Sequence, residues 1–248
     1  VINRYGFNSR GLDHAARALE RAHASVLPGP LGVNLGKNKE SEDAAADYAE
    51  GAARLAPLAD YLAINVSSPN TPGLRALQGP EPLRALIAAV RAALPAEAPP
   101  LLLKVAPDLT DADKADIAAV ALESGLDGLI VSNTTITRPD TLTGRHKDEA
   151  GGLSGAPLKP LALSVLGDLY RLTEGRMPLV GVGGIASGAD AYARIRAGAS
   201  LVQLYTALVY EGIGLVERIK ADLAALLRRD GYDSVADAVG ADHTPPAE

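Results

Sequence analysis

Six short apolar runs, each followed by a segment with helical spacing, constrain this chain more than any other feature. The runs fall at 31–35, 61–65, 101–105, 128–132, 179–182 and 201–205. Helical patterns follow at 41–55, 82–93, 111–124, 157–172, 189–197 and 215–229. Strands alternating with helices imply a parallel sheet with right-handed crossovers. Such strands are covered on both faces, so continuous apolar runs are expected in place of strict alternation. Local signals agree. Thr110 before Asp111 and Asp113 reads as a capped helix start. Gly125 reads as a left-handed helix end and Pro157 as a helix start. An open doubly wound sheet and a (β/α)8 barrel both satisfy this pattern. Nearly every run ends in polar or glycine-rich sequence, which favours the barrel, where all such loops face one site. Six strands do not close a (β/α)8 barrel, so two are expected to be missing. A single α/β barrel unit is expected over 1–241. The segment 242–248 is expected to be a disordered tail, with two prolines and no apolar anchor.

Composition removes several function classes. The chain has 248 residues, a net charge of -6 and no cysteine. No disulfide, thiolate nucleophile or Cys-bound metal is available. The four histidines are scattered without a two-His helical pair, so no metal site is expected. There is no Lys/Arg cluster of the kind that binds nucleic acid. No run is long enough to span a bilayer and no signal peptide is evident, so the chain by itself reads as soluble. It begins at Val1 rather than Met, which points to an incomplete N-terminus.

The strand ends carry the chemistry. Asn65-Val66-Ser67-Ser68-Pro69-Asn70-Thr71-Pro72-Gly73-Leu74-Arg75 offers far more polar groups than a turn requires. Lys104 lies within an apolar strand, where a cation is costly unless it faces a partner. The alternative is a lysine whose stem packs while its amine reaches water. Ser132-Asn133-Thr134-Thr135 adds hydroxyls and amides, and would pass for a polar turn if it stood alone. Asn3 and Asn34 supply two further amides. The glycine-rich segment 181–188 leads into a helix and suits a phosphate, as backbone N–H groups there are bare. Tyr205-Thr206 at the next strand end and the glycine loop 151–155 reinforce a phosphate-bearing cofactor. Asp108 reads best as a turn and helix-start residue. The pocket is rich in amides and poor in histidine or carboxylate bases, which suits a planar amide-containing ring with its own carboxylate.

These segments, taken in order, resemble the dihydroorotate dehydrogenases, specifically the quinone-linked class 2, from Val1 to about Asp230. The resemblance rests on Asn3-Arg4-Tyr5-Gly6-Phe7-Asn8, the segment 31–38, the Asn65–Arg75 loop, Lys104-Val105-Ala106-Pro107-Asp108, Ser132–Thr135, Gly152-Leu153-Ser154-Gly155, Gly181-Val182-Gly183-Gly184 and Leu204-Tyr205-Thr206. Ser68 selects the class, because class 1 members carry a cysteine base at that position. The resemblance implies an FMN-binding (β/α)8 barrel that oxidises dihydroorotate to orotate and passes electrons to a quinone. It implies Ser68 as the base, with a proton relay past Thr71 and Phe7. Asn3, Asn65, Asn70, Asn133 and Thr134 match pyrimidine contacts. Asn34, Asn65, Lys104, Ser132, Gly155, Gly184, Tyr205 and Thr206 match FMN contacts, with Lys104 stabilising charge on the reduced flavin. Pro72, Gly73 and Gly79 suit a lid over the site. The resemblance further implies two barrel strands and a membrane-associating helical segment ahead of Val1. In a bacterium the protein would then be peripheral on the cytoplasmic face of the membrane. Another FMN barrel oxidoreductase acting on a cyclic amide, or a non-catalytic barrel binding FMN or a phosphate, are the competing readings.

Overall fold

The computed structural model describes residues 1–23, 25 and 29–243. In chain order the elements are β1 (Ile2–Asn3), α1 (Leu12–His23), β2 (Gly32–Leu35), α2 (Ala44–Leu55), β3 (Tyr61–Asn65), α3 (Pro80–Ala93), β4 (Leu101–Val105), α4 (Asp111–Glu123) and β5 (Gly128–Val131). They continue with β6 (Gly152–Leu153), α5 (Lys159–Leu172), β7 (Leu179–Val182), α6 (Gly188–Arg196), β8 (Leu201–Gln203), α7 (Thr206–Glu211), α8 (Leu215–Arg229) and α9 (Val235–Ala238). The six strands β2-β3-β4-β5-β7-β8 pair side by side, all parallel. The outer strands β2 and β8 do not pair with each other. This is the six-stranded part-barrel that the apolar runs imply.

Two faces follow from the strand period of two. Leu62, Ile64, Leu101, Leu103, Val105, Leu129 and Leu179 join the main core with residues of the flanking helices, such as Leu83, Ile87, Ile117 and Leu166. The alternate positions Ala63, Ile130 and Val180 form a separate small cluster with Leu102 and Val182 on the inner face. Higher on that face the sequence turns polar. Asn65 pairs in register with Lys104, and Lys104 with Ile130. The inner face is thus sealed by aliphatics at one end and lined by amides and a lysine at the other.

Helix ends are set by local chemistry. In α4 the Thr110 hydroxyl accepts from the Asp113 N–H and Asp113 accepts from the Thr110 N–H, forming a capping box. Gly125 follows with φ +63°, the left-handed conformation expected of it. In α2 the cap is Asp43, which accepts from Ala46, so the helix starts at Ala44 rather than at residue 41. The last strand is shorter than the apolar run: β8 ends at Gln203, Tyr205 is the N-cap of α7 and Thr206 its first residue.

Three features depart from expectation. Helices α1, α7 and α9 were not evident in the pattern. The glycine loop 151–155 is partly β6, which pairs antiparallel with β1 (Ile2↔Leu153, Asn3↔Gly152). The expected tail is also ordered further than its composition implies. Asp242 pairs with Arg196 at 2.6 Å, and the His243 ring stacks on Tyr170 at 5.0 Å. Residues 244–248 lie outside those described. Among the described residues no helix is long and apolar enough to cross a membrane, and no His/Cys/Asp/Glu cluster is arranged to hold a metal.

Leu103 is fully buried on the helix-facing side of β4. Leu103→Ala should lower the unfolding free energy by about 2–5 kcal/mol through the cavity it leaves. Urea denaturation checks this, and a loss below about 1 kcal/mol would contradict the packing described.

Candidate active site

A cavity of about 540 Å³ opens where β4, β5, β7 and β8 end. That is an ordinary volume for a cofactor or ligand pocket. Lys104, Ser132, Asn133 and Thr134 line one end, with Asn3 beside them. Gly155, Gly183, Gly184 and Thr206 line the other, and the largely exposed Tyr205 stands at its rim.

Lys104 projects inward from β4 because its neighbours Leu103 and Val105 face the helices. Burial removes water from its ammonium and lowers its pKa. Among the described residues no carboxylate lies within 4.0 Å of it. The side chain is half-buried and lines the cavity rather than the outer surface. It is a desolvated cation awaiting a negative or electron-rich partner.

Beside it lies a network of amides. Asn65 Nδ2 donates to Asn34 Oδ1 at 3.0 Å. Asn65 Oδ1 accepts from the Ser67 hydroxyl at 2.7 Å, and Asn133 Nδ2 donates to Ser67 Oγ at 2.9 Å. The buried Tyr48 hydroxyl donates to the Asn65 carbonyl at 2.7 Å, holding the strand end from behind. Ser67 thus joins β3 to β5, a role with no sequence signal beyond its place in a polar loop. Asn70 Nδ2 donates to Asn3 O at 3.1 Å and to Asn3 Oδ1 at 3.2 Å. That pair ties β1 to the loop after β3.

Ser68, Asn70, Thr71, Phe7, Asn34 and Asn65 do not line the cavity. They form the wall behind it. Ser68 is buried, and its Oγ accepts the Asn70 N–H at 3.2 Å. Thr71 Oγ1 is buried without a hydrogen-bond partner. A solitary buried hydroxyl costs about 1–3 kcal/mol and asks for an explanation. Phe7, at φ +60°, lays its ring on Gly36, where a Cβ would lie 2.7 Å from ring atoms. Gly6 packs on the Asn70 carbonyl, which carries Phe7 to the same loop. No hydrogen bond joins Ser68 to Thr71.

Asp108 corrects its sequence reading. The cap of α4 is Thr110 with Asp113, and Asp108 instead faces Arg75 at 2.8 Å. Arg75 also donates from Nε to the Ser67 carbonyl and from Nη2 to the Thr134 carbonyl, both at 2.9 Å. Asp108 accepts in turn from the Thr135 hydroxyl and the Ile136 N–H. One guanidinium therefore fixes the loops after β3, β4 and β5 to one another. No single loop shows this in sequence, since the partners are 33 and 59 residues apart.

The glycine end has the shape of an anion cradle. Gly155, Gly183 and Gly184 have φ of +85°, +119° and +73°, which side-chain-bearing residues rarely adopt. A Cβ on Gly184 would lie 2.8 Å from Lys159 Cβ and 3.0 Å from the Gly155 carbonyl. Ser154 and Gly155 of the loop 151–155 reach this end, where the Thr206 hydroxyl donates to Ser154 Oγ at 2.9 Å. Gly152 is needed elsewhere, because a Cβ there would collide with the Thr134 side chain.

Fold and site together define an α/β part-barrel with a phosphate-type cradle, an uncompensated lysine and an amide-rich wall. A profile described as dihydroorotate dehydrogenase matches residues 1–227. A protein of Rhodospirillum rubrum named dihydroorotate dehydrogenase (quinone) is 66% identical over 99% of this chain and 67% of its own length. A mitochondrial protein of Mus musculus with the same name is 54% identical over 98% of this chain and 64% of its own. The crystal structure of a ligand-free DHODH from Eimeria tenella superposes with a TM-score of 0.94 at 46% identity, covering 98% of this chain and 74% of that one. The chain spans about two thirds of the length of such relatives. The chain belongs to the dihydroorotate dehydrogenase family, as its motifs led us to expect, and the family implies a flavin cofactor.

Arg75→Met would leave the Asp108 carboxylate buried and three loops unlinked. It should lower stability by about 2–4 kcal/mol. Asp108→Asn combined with it should cost less than the sum of the two single losses, because the two share the Arg75–Asp108 contact. Additive losses, read by thermal denaturation of the two single variants and the double, would refute the latch.

Proposed function

We propose that this chain carries the dihydroorotate-oxidising centre of a quinone-linked dihydroorotate dehydrogenase, with FMN as its cofactor. The observation that carries this reading is one cavity joining an uncompensated Lys104 and a wall of amides to a glycine cradle. The residues fit the group. Neutral amides and hydroxyls (Asn34, Asn65, Ser132) suit the polar edge of a flavin. Lys104 suits its electron-rich pyrimidine side. Gly155, Gly184, Tyr205 and Thr206 suit its phosphate end.

When bound, FMN supplies the acceptor for the substrate's hydride and relays two electrons to a quinone. The remaining work falls to side chains. Asn3, Asn65, Asn70, Asn133 and Thr134 orient the pyrimidine and its carboxylate through directional hydrogen bonds, with Asn65 shared between cofactor and substrate. Ser68 takes the proton that dihydroorotate loses. A serine hydroxyl is a weak base at neutral pH and needs both charge stabilisation and a route for its own proton. The Asn70 N–H donates to Oγ and stabilises charge developing there, leaving a second lone pair free. The unpartnered Thr71 hydroxyl supports a relay away from Ser68. The Phe7 ring on Gly36 supports a wall that keeps the route narrow. The loop 66–75, with Gly73 at φ +72°, suits a lid that excludes water. Electron delivery to a quinone places the site beside a membrane surface, and peripheral contact through other parts of the protein fits that need.

Anaerobic addition of dihydroorotate should bleach the flavin absorbance of the parent protein. Ser68→Ala should stay yellow and bleach about 10²-fold or more slowly. Unchanged bleaching would reject Ser68 as the base, and an absence of bleaching in the parent would favour a non-catalytic flavin-binding barrel.

Lys104→Met tests the cation. Its lowered pKa means that the unfolded chain holds more protons than the folded one between that value and the ordinary 10.5. Stability of the flavin-free protein should therefore rise with pH across this window, and the rise should flatten in Lys104→Met. The variant should also be the more stable of the two at neutral pH, yet reduce its flavin more slowly. Lower stability with normal reduction would overturn the role.

A further inference from the structure

Arg194 is 1% exposed and lies on the buried face of α6, against β7. Its Nη2 donates to the Lys159 carbonyl at 3.0 Å and to the Gly183 carbonyl at 2.5 Å. Its Nη1 is buried with no hydrogen-bond partner among the described residues. No carboxylate lies within ion-pair distance of it among those residues. Asp190, one helical turn earlier, is the acid whose field reaches it and partly offsets the desolvation. That carboxylate is already engaged, by Lys159 Nζ at 2.6 Å and by the Ala186 N–H at 3.0 Å. Arg194, Lys159 and Asp190 together carry one net positive charge beneath the glycine turn.

Burial of this kind is expensive. A buried cation normally comes with a bidentate anion and satisfied donors. Desolvation lowers the guanidinium to about 10, so it remains charged at neutral pH. Space for it was also kept in the sheet. A Cβ on Gly181 would stand 3.2 Å from Arg194 Cβ and 3.3 Å from Cδ. The strand gives up a side chain to let the arginine lie under the turn. Nothing in the helical pattern 189–197 requires an arginine on the buried face, where leucine would pack at lower cost.

We propose that Arg194 is a positioning residue for the phosphate end of the cofactor site, holding the Gly183 carbonyl from below while its uncompensated charge favours a dianion above. Fixing that carbonyl inward leaves the turn's N–H groups free to face the cavity. The charge acts through the turn and not by contact, since the guanidinium does not line the cavity. It follows that Arg194 discriminates FMN from riboflavin, which shares the ring system and lacks the phosphate. The inference rests on the FMN assignment above.

The test is flavin binding to the flavin-free protein, read by fluorescence quenching with FMN and with riboflavin, beside a thermal melt of each variant. Arg194→Met should weaken FMN by about 10- to 100-fold and riboflavin by no more than about twofold. Arg194→Lys keeps the charge without the two-carbonyl fork, and should recover part of the FMN loss. Added salt should weaken FMN binding more in the parent than in Arg194→Met. Equal loss of both flavins would make Arg194 a structural residue only, and unchanged FMN affinity in Arg194→Met would remove it from the site. A parent that binds neither flavin would overturn the cofactor assignment itself and this inference with it. A parent that binds both, with variants losing both equally, would overturn this inference alone.

Discussion

The arrangement depends on one geometric constraint, the two-residue period of a strand that is covered on both sides. Each parallel strand must give one set of side chains to the helices and the other to the barrel interior. On β4 this sends Leu101, Leu103 and Val105 outward and Leu102 and Lys104 inward. On β3 it sends Leu62 and Ile64 outward and Ala63 and Asn65 inward. The register runs Asn65↔Lys104↔Ile130↔Val180, and the tilt of a barrel sheet brings residues of neighbouring rows into contact inside it. The lower inner layer of Ala63, Leu102, Ile130 and Val180 is a plug. Further along the same face Lys104 lines the cavity and Asn65 sits in the wall behind it, bonded to Asn34 and Ser67. A change of one residue in register would bury Lys104 among the helix-facing leucines.

What the chain discloses in advance follows from how local each signal is. Strand and helix succession is local, and all six strands lie where apolar runs stand. Lys104 is legible because a cation inside Leu-Leu-Leu-Lys-Val breaks the pattern of its own strand. Gly183 and Gly184 are legible because a left-handed turn at a strand end needs residues without Cβ. Ser68, Thr71 and Phe7 are legible through motif resemblance, and the fold adds the burial of the two hydroxyls and the partial burial of the ring.

The hidden part is made of partnerships between distant segments. Arg75 looks like the end of a polar loop, and Asp108 like the start of a helix, until the fold sets one against the other. Ser67 is indistinguishable from Ser68 in sequence, although one joins two strands through amides and the other keeps a lone pair free. β1 and β6 are two residues each, too short for any periodicity, and their pairing is held by contacts from distant segments, Asn70 on Asn3 and Thr135 on Leu153. Asp242 and His243 carry no apolar anchor of their own. They are held by Arg196 and Tyr170, groups the tail's composition does not reveal.

The interior cations then explain why so much of the scaffold goes into holding loops. Lys104 lines the cavity and Arg194 lies beneath its glycine turn, each desolvated and, among the described residues, each without a carboxylate at ion-pair distance. Two such groups weaken the flavin-free protein, because their desolvation is not returned by a partner. Loops free to move would relieve the cost by letting water in, and would lose the geometry with it. The Arg75–Asp108 pair, the capping box of α4 and the Tyr48–Asn65 hydrogen bond all oppose that relaxation. The charge that weakens the fold is therefore held in place for a negative or electron-rich group, and the neutral hydrogen-bond network keeps the loops from relaxing around it.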